Sequence, residues 1–320
     1  MLKRILIVLF IMVFNLPVFA EDKIHVAFCI DNNYPLYTML AINSILLNNT
    51  SNSKYYFHIV ENNVSKFHKF QMKYFVKNRG ADIEFIHFDT RILDKGRNYY
   101  RYEGNTKKWN GAESHITRIA SARLALPEIL PNIDKILYLD GDILVTTDLK
   151  NLWEIDLQDY YLGMVYDALH FIENIEYFND GIILFNLDKI RKENMTNTLI
   201  YVYKDNPQLQ YHDQDVLNIV FKNEIKNLPL KWNMQVRNAF PLEKNISVSG
   251  IFHFAGKHKP WEFYKYDRSL PNYEEYRNLY LKYWRKSYLK IYIPYYIFKA
   301  IPKLYFGIVY EEIMRMKYWN

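Results

Sequence analysis

Hydrophobic and polar residues form two kinds of pattern along most of the chain. Continuous apolar runs predict buried strands, whereas apolar residues spaced three or four apart predict helices. The predicted strands are residues 24–30, 55–60, 82–88, 135–139, 162–165 and 181–187. The predicted helices are residues 36–47, 66–77, 112–130, 188–203 and 213–221. This alternation is typical of an α/β fold with a mainly parallel central sheet and helices on both faces.

Acidic residues follow two of the predicted strands. Asp31 follows the first strand, and Asp140 and Asp142 follow the fourth with one residue between them. Ligands of such sheets bind at the carboxyl ends of the strands, so one cleft could hold all three. Two carboxylates at this spacing can reach a single hard divalent cation, which would suit a diphosphate ligand. A surface turn with two solvated aspartates explains the spacing equally well.

A second polar cluster comes late in the chain. His253 lies inside a short apolar run, and Gly256, Lys259 and a Pro-Trp pair follow it. An imidazole can complete a metal site begun by carboxylates, and a lysine can neutralise a phosphate. The alternative is a satisfied core histidine. Glycine-rich phosphate loops are absent from the sequence, so bound phosphates would be held by metal and side chains.

Two further positions are candidates for a cleft. Asp213 and Gln214 stand at a predicted helix start, where Asp213 could equally be a helix cap. Arg123 lies in the predicted helix before the Asp140 strand. Its apolar neighbours favour a cleft-facing role over a solvated helix charge.

Composition narrows the class of protein. The chain has 320 residues and is half apolar, which fits one large domain or one domain with an appendage. The single cysteine, Cys29, excludes an internal disulfide and a thiolate zinc site, and we interpret it as a core residue. The net charge of +6 is concentrated in residues 282–320, so we expect no nucleic-acid partner.

Both ends of the chain suggest a membrane. Residues 1–20 contain Lys3 and Arg4, an apolar run, and Ala20, which is typical of a cleaved export signal or, alternatively, an uncleaved anchor. Residues 266–320 form a basic, aromatic and helical tail for which we predict membrane-surface contact. The alternative is a helical subdomain that packs its aromatic side chains inward. The side of the membrane stays open.

Six segments, in order, resemble glycosyltransferase family 8, particularly the bacterial lipopolysaccharide galactosyl- and glucosyltransferases. They are residues 24–34, 117–126, 137–145, 177–186, 212–215 and 253–261. The resemblance implies a GT-A fold over residues 21–265, a UDP-hexose donor, and Mn²⁺ or Mg²⁺. It also implies hexose transfer with retention to a saccharide or lipid-linked glycan acceptor, in lipopolysaccharide or surface glycan synthesis.

The resemblance also assigns roles to individual residues. It implies a metal site of Asp140, Asp142 and His253, uridine contacts from Asp31 and Asn33, and diphosphate contacts from Gly256 and Lys259. It places Arg123, Asn179, Asp213 and Gln214 around the donor sugar, and Tyr34, His115 and Asp167 near the acceptor. Two positions depart from the family pattern. Asn32 replaces a frequent acidic residue, and Asp180 replaces a small one, which leaves the donor sugar open.

The expected chemistry is front-face attack by the acceptor, with a leaving-phosphate oxygen taking its proton and the carbonyl dipole of Gln214 facing the sugar. A covalent route through Asp213 is the alternative mechanism. Two other classes compete with this function. One is an exported carbohydrate-binding relative without turnover. The other is a haloacid-dehalogenase phosphatase, whose aspartate motif normally opens its domain, whereas about 120 residues separate the predicted export signal from Asp140 here.

Overall fold

A computed structural model describes residues 23–93, 118–167, 176–206, 208–236, 249–256, 259–261 and 273–287. The strands are β1 (Lys23–Asp31), β2 (Lys54–Asn62), β3 (Asp82–His87), β4 (Lys135–Leu139), β5 (Ile143–Val145), β6 (Leu162–Tyr166), β7 (Phe178–Asn186), β8 (Ile225–Asn227), β9 (Met234–Gln235) and β10 (Ile251–His253). The α-helices are α1 (Pro35–Leu47), α2 (Lys66–Lys77), α3 (Leu126–Ile129), α4 (Lys150–Trp153), α5 (Leu187–Lys192), α6 (Met195–Asp205), α7 (Asp213–Val220) and α8 (Tyr273–Lys286). Three 3₁₀ helices span Thr90–Leu93, Arg118–Ala125 and Leu230–Trp232.

Seven strands form the central sheet in the order β3-β2-β1-β4-β7-β6-β8. Strands β3, β2, β1 and β4 run parallel to one another, and β6 is parallel to β8. Strand β7 runs antiparallel to both β4 and β6. The predicted α/β fold with a mainly parallel sheet is therefore confirmed.

The reversed direction of β7 positions the site. Because β7 is antiparallel to β4, its first residues lie beside the carboxyl end of β4. The amide of Asp140 donates a hydrogen bond to the carbonyl of Gly181 at 2.8 Å. Residues at the start of β7 therefore share one edge of the sheet with the acidic pair that follows β4.

Helices cover both faces of this sheet. Alternate residues of β1 face two different cores, with Val26, Phe28 and Ile30 in one and Ala27 in the other. The first core includes α1 and α2, and the second includes α5, α6 and α7. Burial on both faces explains why the strands read as continuous apolar runs.

A small second sheet, in the order β5-β10-β9, stands next to the acidic pair. Strand β10 is antiparallel to β5 and parallel to β9, with His253 opposite Ile143 on one side and Gln235 on the other. Since Ile143 follows Asp142 directly, this pairing brings the imidazole and the carboxylate together.

Two predicted helices differ from the structure. The described part of residues 112–130 is the 3₁₀ helix Arg118–Ala125 followed by α3, in which Pro127 occupies the first turn. The predicted helix 188–203 is two helices, α5 and α6, because Asn194 between them has a left-handed φ of 54°. Asparagine tolerates that conformation better than most residues.

The described part of the tail packs inward, as the alternative interpretation expected. Tyr276, Tyr280 and Trp284 of α8 are buried, and Asn48 at the end of α1 donates to the hydroxyl of Tyr283 at 3.1 Å. Residues 1–22 and 288–320 lie outside the described residues, so the export signal and most of the membrane tail stay predictions. Among the described helices, none has the length and apolar character that crossing a bilayer requires.

Candidate active site

Asp140, Asp142 and His253 form a potential metal site. Each residue offers one ligand atom, and these atoms lie within 4.8 Å of one another. Nε2 of His253 is 3.7 Å from a carboxylate oxygen of Asp140 and 3.5 Å from one of Asp142. The two strand pairings of β10 explain this convergence, which was predicted from the sequence.

A chain of amide side chains fixes which nitrogen of His253 carries the proton. Asp167 is 1% exposed, and its carboxylate accepts from Nδ2 of Asn179 at 3.1 Å. Oδ1 of Asn179 therefore faces Nδ2 of Asn233, at 2.8 Å. Oδ1 of Asn233 then accepts from Nδ1 of His253 at 3.0 Å.

The consequence for metal binding follows from this order of donors and acceptors. A carboxylate can only accept, so the orientation of each amide along the chain is determined by Asp167. With its proton on Nδ1, His253 presents the lone pair of Nε2 toward Asp140 and Asp142. A neutral imidazole oriented in this way is a ready ligand for a divalent cation. The three residues therefore fit a metal ion.

Gly181 provides the space for the imidazole ring. A Cβ atom at this position would lie 2.7 Å from Nδ1 of His253 and closer still to Cε1. Carbon atoms do not approach that closely, so any side chain at Gly181 would displace the ring. The close approach of β7 to β10 explains this glycine.

Lys259 adds a positive charge next to the metal cluster, and Gly256 lies nearby in a backbone conformation that favours glycine. The ammonium group of Lys259 pairs with the carboxylate of Asp142 and donates to the carbonyl of Phe254 at 3.0 Å. Gly256 has a φ of +94°, which a residue with a side chain rarely adopts. Two residues after Lys259, the indole of Trp261 stacks on Tyr37 of α1 with ring centroids 3.7 Å apart. This stacking anchors the segment to the fold.

Arg123 links three carboxylates beneath the cleft. Its guanidinium lies 3.0 Å from Asp140, 2.8 Å from Asp180 and 2.9 Å from Asp213. It also stacks over the ring of Tyr138, whose hydroxyl donates to Asp140 at 2.6 Å. Arg123 is therefore a buried hub of the site and not a solvated helix charge.

Burial and charge shift several pKa values. Burial opposes ionisation of Asp142, but the ammonium group of Lys259 outweighs it and holds the pKa of this carboxyl well below its usual range. Burial and the neighbouring charge of Asp142 raise the pKa of Asp140, although Arg123 opposes the shift. The pKa of the Asp180 carboxyl is raised well above its usual range, chiefly by burial. The two carboxyls of the metal cluster therefore have pKa values shifted in opposite directions.

Gln214 and Asp213 occupy the first turn of α7. Oε1 of Gln214 accepts from Nδ2 of Asn179 at 2.9 Å and from the amide of Asp180 at 3.3 Å. Asp213 accepts from the hydroxyl of Ser121 at 3.2 Å, in addition to its ion pair with Arg123. The structure therefore brings all four predicted donor-sugar residues together, and the carbonyl of Gln214 already accepts two hydrogen bonds.

These groups line one cleft with a volume of about 130 Å³. Its lining includes all nine residues predicted for metal, diphosphate and donor sugar, together with neighbours that were not predicted. The full lining is Cys29, Tyr34, Ala120, Arg123, Asp140, Gly141, Asp142, Asn179, Asp180, Tyr211, Asp213, Gln214, His253, Ala255, Gly256 and Lys259. The predicted uridine contacts, Asp31 and Asn33, are not part of this lining. Cys29, predicted to be a core residue, is half-buried and lines this cleft.

The remaining predicted residues lie at the margin. Asp31 is the last residue of β1 and Asn33 lies on the loop after it. Asp31 accepts from the backbone and side chain of Asn33 at 2.8 and 3.2 Å. Tyr34, in the next position, lines the cleft. Asp167 is buried beneath the cleft as the partner of Asn179, a position that suits support of Asn179 better than acceptor contact. His115 lies outside the described residues.

Sequence reasoning missed Asn233 and Tyr138. Asn233 is fully buried between Trp232 and Met234, and a buried amide flanked by apolar residues is the signal that could have found it. Tyr138 is a tyrosine inside a buried strand, two residues before Asp140, and its hydroxyl needs a partner. The hydroxyl of Tyr138 donates to Asp140, and Oδ1 of Asn233 accepts from His253, so both side chains support residues of the metal site.

The chain is similar in sequence and fold to several known proteins. The chain is 26% identical over 266 residues to general stress protein A of Bacillus subtilis (strain 168), covering 75% of this chain and 88% of that protein. It is 26% identical over 293 residues to lipopolysaccharide 1,2-glucosyltransferase of Escherichia coli, covering 81% of each. The crystal structure of galactosyltransferase LgtC with donor and acceptor sugar analogs superimposes with a TM-score of 0.64 at 26% identity, covering 82% of this chain and 99% of that one.

The fold and the cleft therefore define a glycosyltransferase of the GT-A type. Residues 25–265 match glycosyl transferase family 8, and the chain belongs to that family. This membership replaces the haloacid-dehalogenase alternative. The resemblance found in the sequence is confirmed.

Proposed function

We propose that this protein transfers a hexose, galactose or glucose, from a UDP-hexose to a saccharide or lipid-linked glycan acceptor. Transfer would retain the anomeric configuration and use Mn²⁺ or Mg²⁺. The similarity to a lipopolysaccharide glucosyltransferase and to a galactosyltransferase supports a role in lipopolysaccharide or surface glycan synthesis. Neither relative decides which hexose is used.

The observation that carries the proposal is the cluster of Asp140, Asp142 and His253 with Lys259 beside it. Asp140, Asp142 and Nε2 of His253 would hold the cation. When bound, a divalent ion supplies Lewis-acid stabilisation of a leaving diphosphate. Lys259 adds a fixed positive charge at the same edge, within reach of a phosphate oxygen.

The neighbouring polar groups support the sugar part of the proposal. Arg123, Asn179, Asp213 and Gln214 surround a space next to the metal cluster. In front-face transfer, the bond between the sugar carbon and the phosphate oxygen breaks while the acceptor oxygen bonds to the same face. The acceptor proton passes to the leaving phosphate oxygen. Carboxylates near the sugar stabilise the positive charge that develops on its ring.

The ion pair of Asp213 favours this route over a covalent one. A carboxylate that lies 2.9 Å from a guanidinium has part of its charge neutralised, which makes it a weaker nucleophile. Trapping of a glycosyl adduct on Asp213 by mass spectrometry would reverse this preference.

The test is a donor screen on the full chain. UDP release is measured for UDP-galactose, UDP-glucose, UDP-N-acetylglucosamine and UDP-glucuronate, with Mn²⁺, Mg²⁺ or chelator. We expect metal-dependent release from a neutral hexose donor, and loss of release in Asp142→Asn but not in Asp159→Asn, an exposed control. The anomeric configuration of the product is read by NMR when an acceptor is added.

The same donor screen distinguishes the proposed transferase from the alternative function, carbohydrate binding without turnover. A non-catalytic carbohydrate-binding relative would bind glycans without releasing UDP from any donor, with or without metal. The retained diphosphate-neutralising cluster argues against it, because a glycan-binding module has no use for a buried lysine beside a metal site.

A further inference from the structure

The outer face of α2 exposes an unusual set of side chains. Phe67, Phe70 and Tyr74 are 65%, 67% and 62% exposed, and their spacing places them along one stripe of the helix. The opposite stripe, Met72, Phe75 and Val76, is buried in the core. Other exposed large hydrophobic residues of the described chain are scattered over different elements. Helix α2 therefore has two apolar faces, and only one of them packs against the protein.

The charge of α2 is one-sided as well. Its twelve residues include four lysines and no acidic residue. Lys69 pairs with Glu61 and Lys77 with Asp82. Lys66 and Lys73 are exposed beside the aromatic stripe, and no carboxylate of the described chain forms an ion pair with either. We call Phe67, Phe70, Tyr74, Lys66 and Lys73 the aromatic–lysine face.

We propose that the aromatic–lysine face docks on the surface of an anionic lipid bilayer. Aromatic rings with lysines alongside are typical of helices that lie in the plane of a membrane interface. Each lysine near an anionic surface contributes about 1 kcal/mol. A protein partner fits less well, because protein interfaces are depleted in lysine.

The position of α2 gives this docking a consequence for the cleft. Asn32, on the loop after β1, accepts from the amide of Ser65 at 2.9 Å and contacts Nδ1 of His68 at 2.9 Å. The first turn of α2 is thus tied to the loop that carries Asp31 and Asn33. A docked α2 would hold this rim of the cleft close to lipid headgroups. Only this last step rests on the proposed function, since it suits a lipid-linked acceptor.

The first experiment measures vesicle binding by the full chain, which needs no sugar donor. Co-sedimentation is compared between vesicles of phosphatidylcholine alone and vesicles containing a quarter phosphatidylglycerol. The test variant is Phe67→Ser/Phe70→Ser/Tyr74→Ser. The control is Tyr201→Ser/Ile219→Ser, which removes equally exposed apolar side chains from α6 and α7 on the other side of the sheet. We expect the test variant to lose at least about tenfold in anionic-vesicle binding and the control to keep it.

A second variant isolates the charge. Lys66→Gln/Lys73→Gln should lower binding by about fivefold for each lysine and should weaken its salt dependence. Equal binding of the aromatic variant and the unmodified chain would overturn the proposal, as would no binding to anionic vesicles. If the aromatic variant changes only the oligomeric state in light scattering, the face contacts protein instead, and the proposal is also wrong.

A local probe excludes a contribution from the tail. Phe70→Cys and, as control, Tyr201→Cys are labelled with an environment-sensitive fluorophore. The unmodified chain, treated with the same fluorophore, reports any signal from Cys29, which lines the cleft. Anionic vesicles should brighten and blue-shift the probe at position 70 and leave the probe at 201 unchanged. The reverse pattern, or no change at 70, would contradict docking through α2.

Discussion

Oδ1 of Asn233 accepts a hydrogen bond from Nδ1 of His253 at 3.0 Å, and this contact directs Nε2 toward the acidic pair. Asn233 is held in turn by Asn179, which is held by Asp167. A buried carboxylate with no place in the metal cluster therefore decides how the metal-site imidazole is protonated. The first prediction concerns this chain of contacts.

Asn233→Ala should weaken Mn²⁺ binding by about 10- to 100-fold, because supporting contacts of metal ligands have effects of that size. The measurement is the Mn²⁺ concentration that gives half-maximal UDP binding in calorimetry. Asn227→Ala, at an exposed position of β8, is the control. Asn233→Asp keeps an acceptor for His253 and should recover part of the affinity. Equal losses in the alanine and aspartate variants would point to a packing role instead.

Gly181→Ala should displace the His253 ring and weaken Mn²⁺ binding at least tenfold, since the added methyl group would overlap the imidazole. Gly141→Ala is the contrast, because its methyl group would meet the movable ring of Tyr34 at 3.0 Å. We expect a milder loss there. A Gly181→Ala protein with unchanged metal affinity would show that the ring does not need this space.

Asp142→Asn should lower turnover by at least two orders of magnitude, the scale for loss of a main electrostatic contact in a transition state. The amide is preferred to alanine because Lys259 is buried against Asp142, and complete removal of its partner would also destabilise the fold. Thermal unfolding of the variant separates the two effects. Turnover near that of the unmodified enzyme would remove the metal site from the chemistry.

Asp180→Ser should change donor choice. The Asp180 carboxyl lines the cleft and lies 2.8 Å from Nη1 of Arg123, so it occupies an edge of the guanidinium that a carboxylate on the donor sugar could otherwise bind. We expect kcat/KM for UDP-glucuronate relative to UDP-glucose to rise about tenfold, which corresponds to about 1.4 kcal/mol. Asp159→Ser serves as the surface control. An unchanged ratio would mean that Asp180 only supports Arg123.

The free energy of unfolding should fall in mild acid because the pKa of His25 is lowered in the folded protein. Nδ1 of His25 lies 2.8 Å from Nε2 of His58, and Nδ1 of His58 contacts Glu84 at 2.6 Å. Burial, with smaller effects of His58 and Lys23, lowers the pKa of His25 from 6.5 to about 4. Between these values the unfolded chain binds more protons than the folded one, so stability present above pH 6.5 is lost as the pH falls toward 4.

The variant that checks this is His25→Gln. Its Tm should fall less between pH 7 and pH 4.5 than the Tm of the unmodified chain, by a few degrees, because partial solvent exposure limits the effect. If the Tm of both proteins falls equally between pH 7 and pH 4.5, groups other than His25 cause the loss of stability in acid.

The spacing of apolar residues predicted individual helices and strands, and the polar residues after a predicted strand indicated where the site would lie. Helix α2 lies at the predicted residues 66–77, and the acidic pair follows a buried strand as expected. The pairing of β10 with β5 and β9 could not be predicted, because strands of two or three residues carry almost no period. For the same reason Asn233 had no visible link to His253.

The donor-sugar residues illustrate a different limit. Arg123 was predicted within an α-helix, but it lies in a 3₁₀ helix, where residues three apart share a face. Ala120 and Arg123 both line the cleft for this reason. The sequence also gave no sign that one guanidinium would serve three carboxylates, since Asp140, Asp180 and Asp213 come from separate elements.

Because β7 is reversed, its first residues join the cleft at the carboxyl end of β4. The other end of β4 has none of the residues that line the cleft. There the start of β4 pairs with the end of β7 at Lys135 and Asn186, and the exposed turn at Asn132 lies close by. Biotin on an Asn132→Cys variant would attach the protein to a sensor chip at this end of the sheet and leave the cleft facing the solution. Real-time measurement of donor capture is therefore practical on a single immobilised orientation.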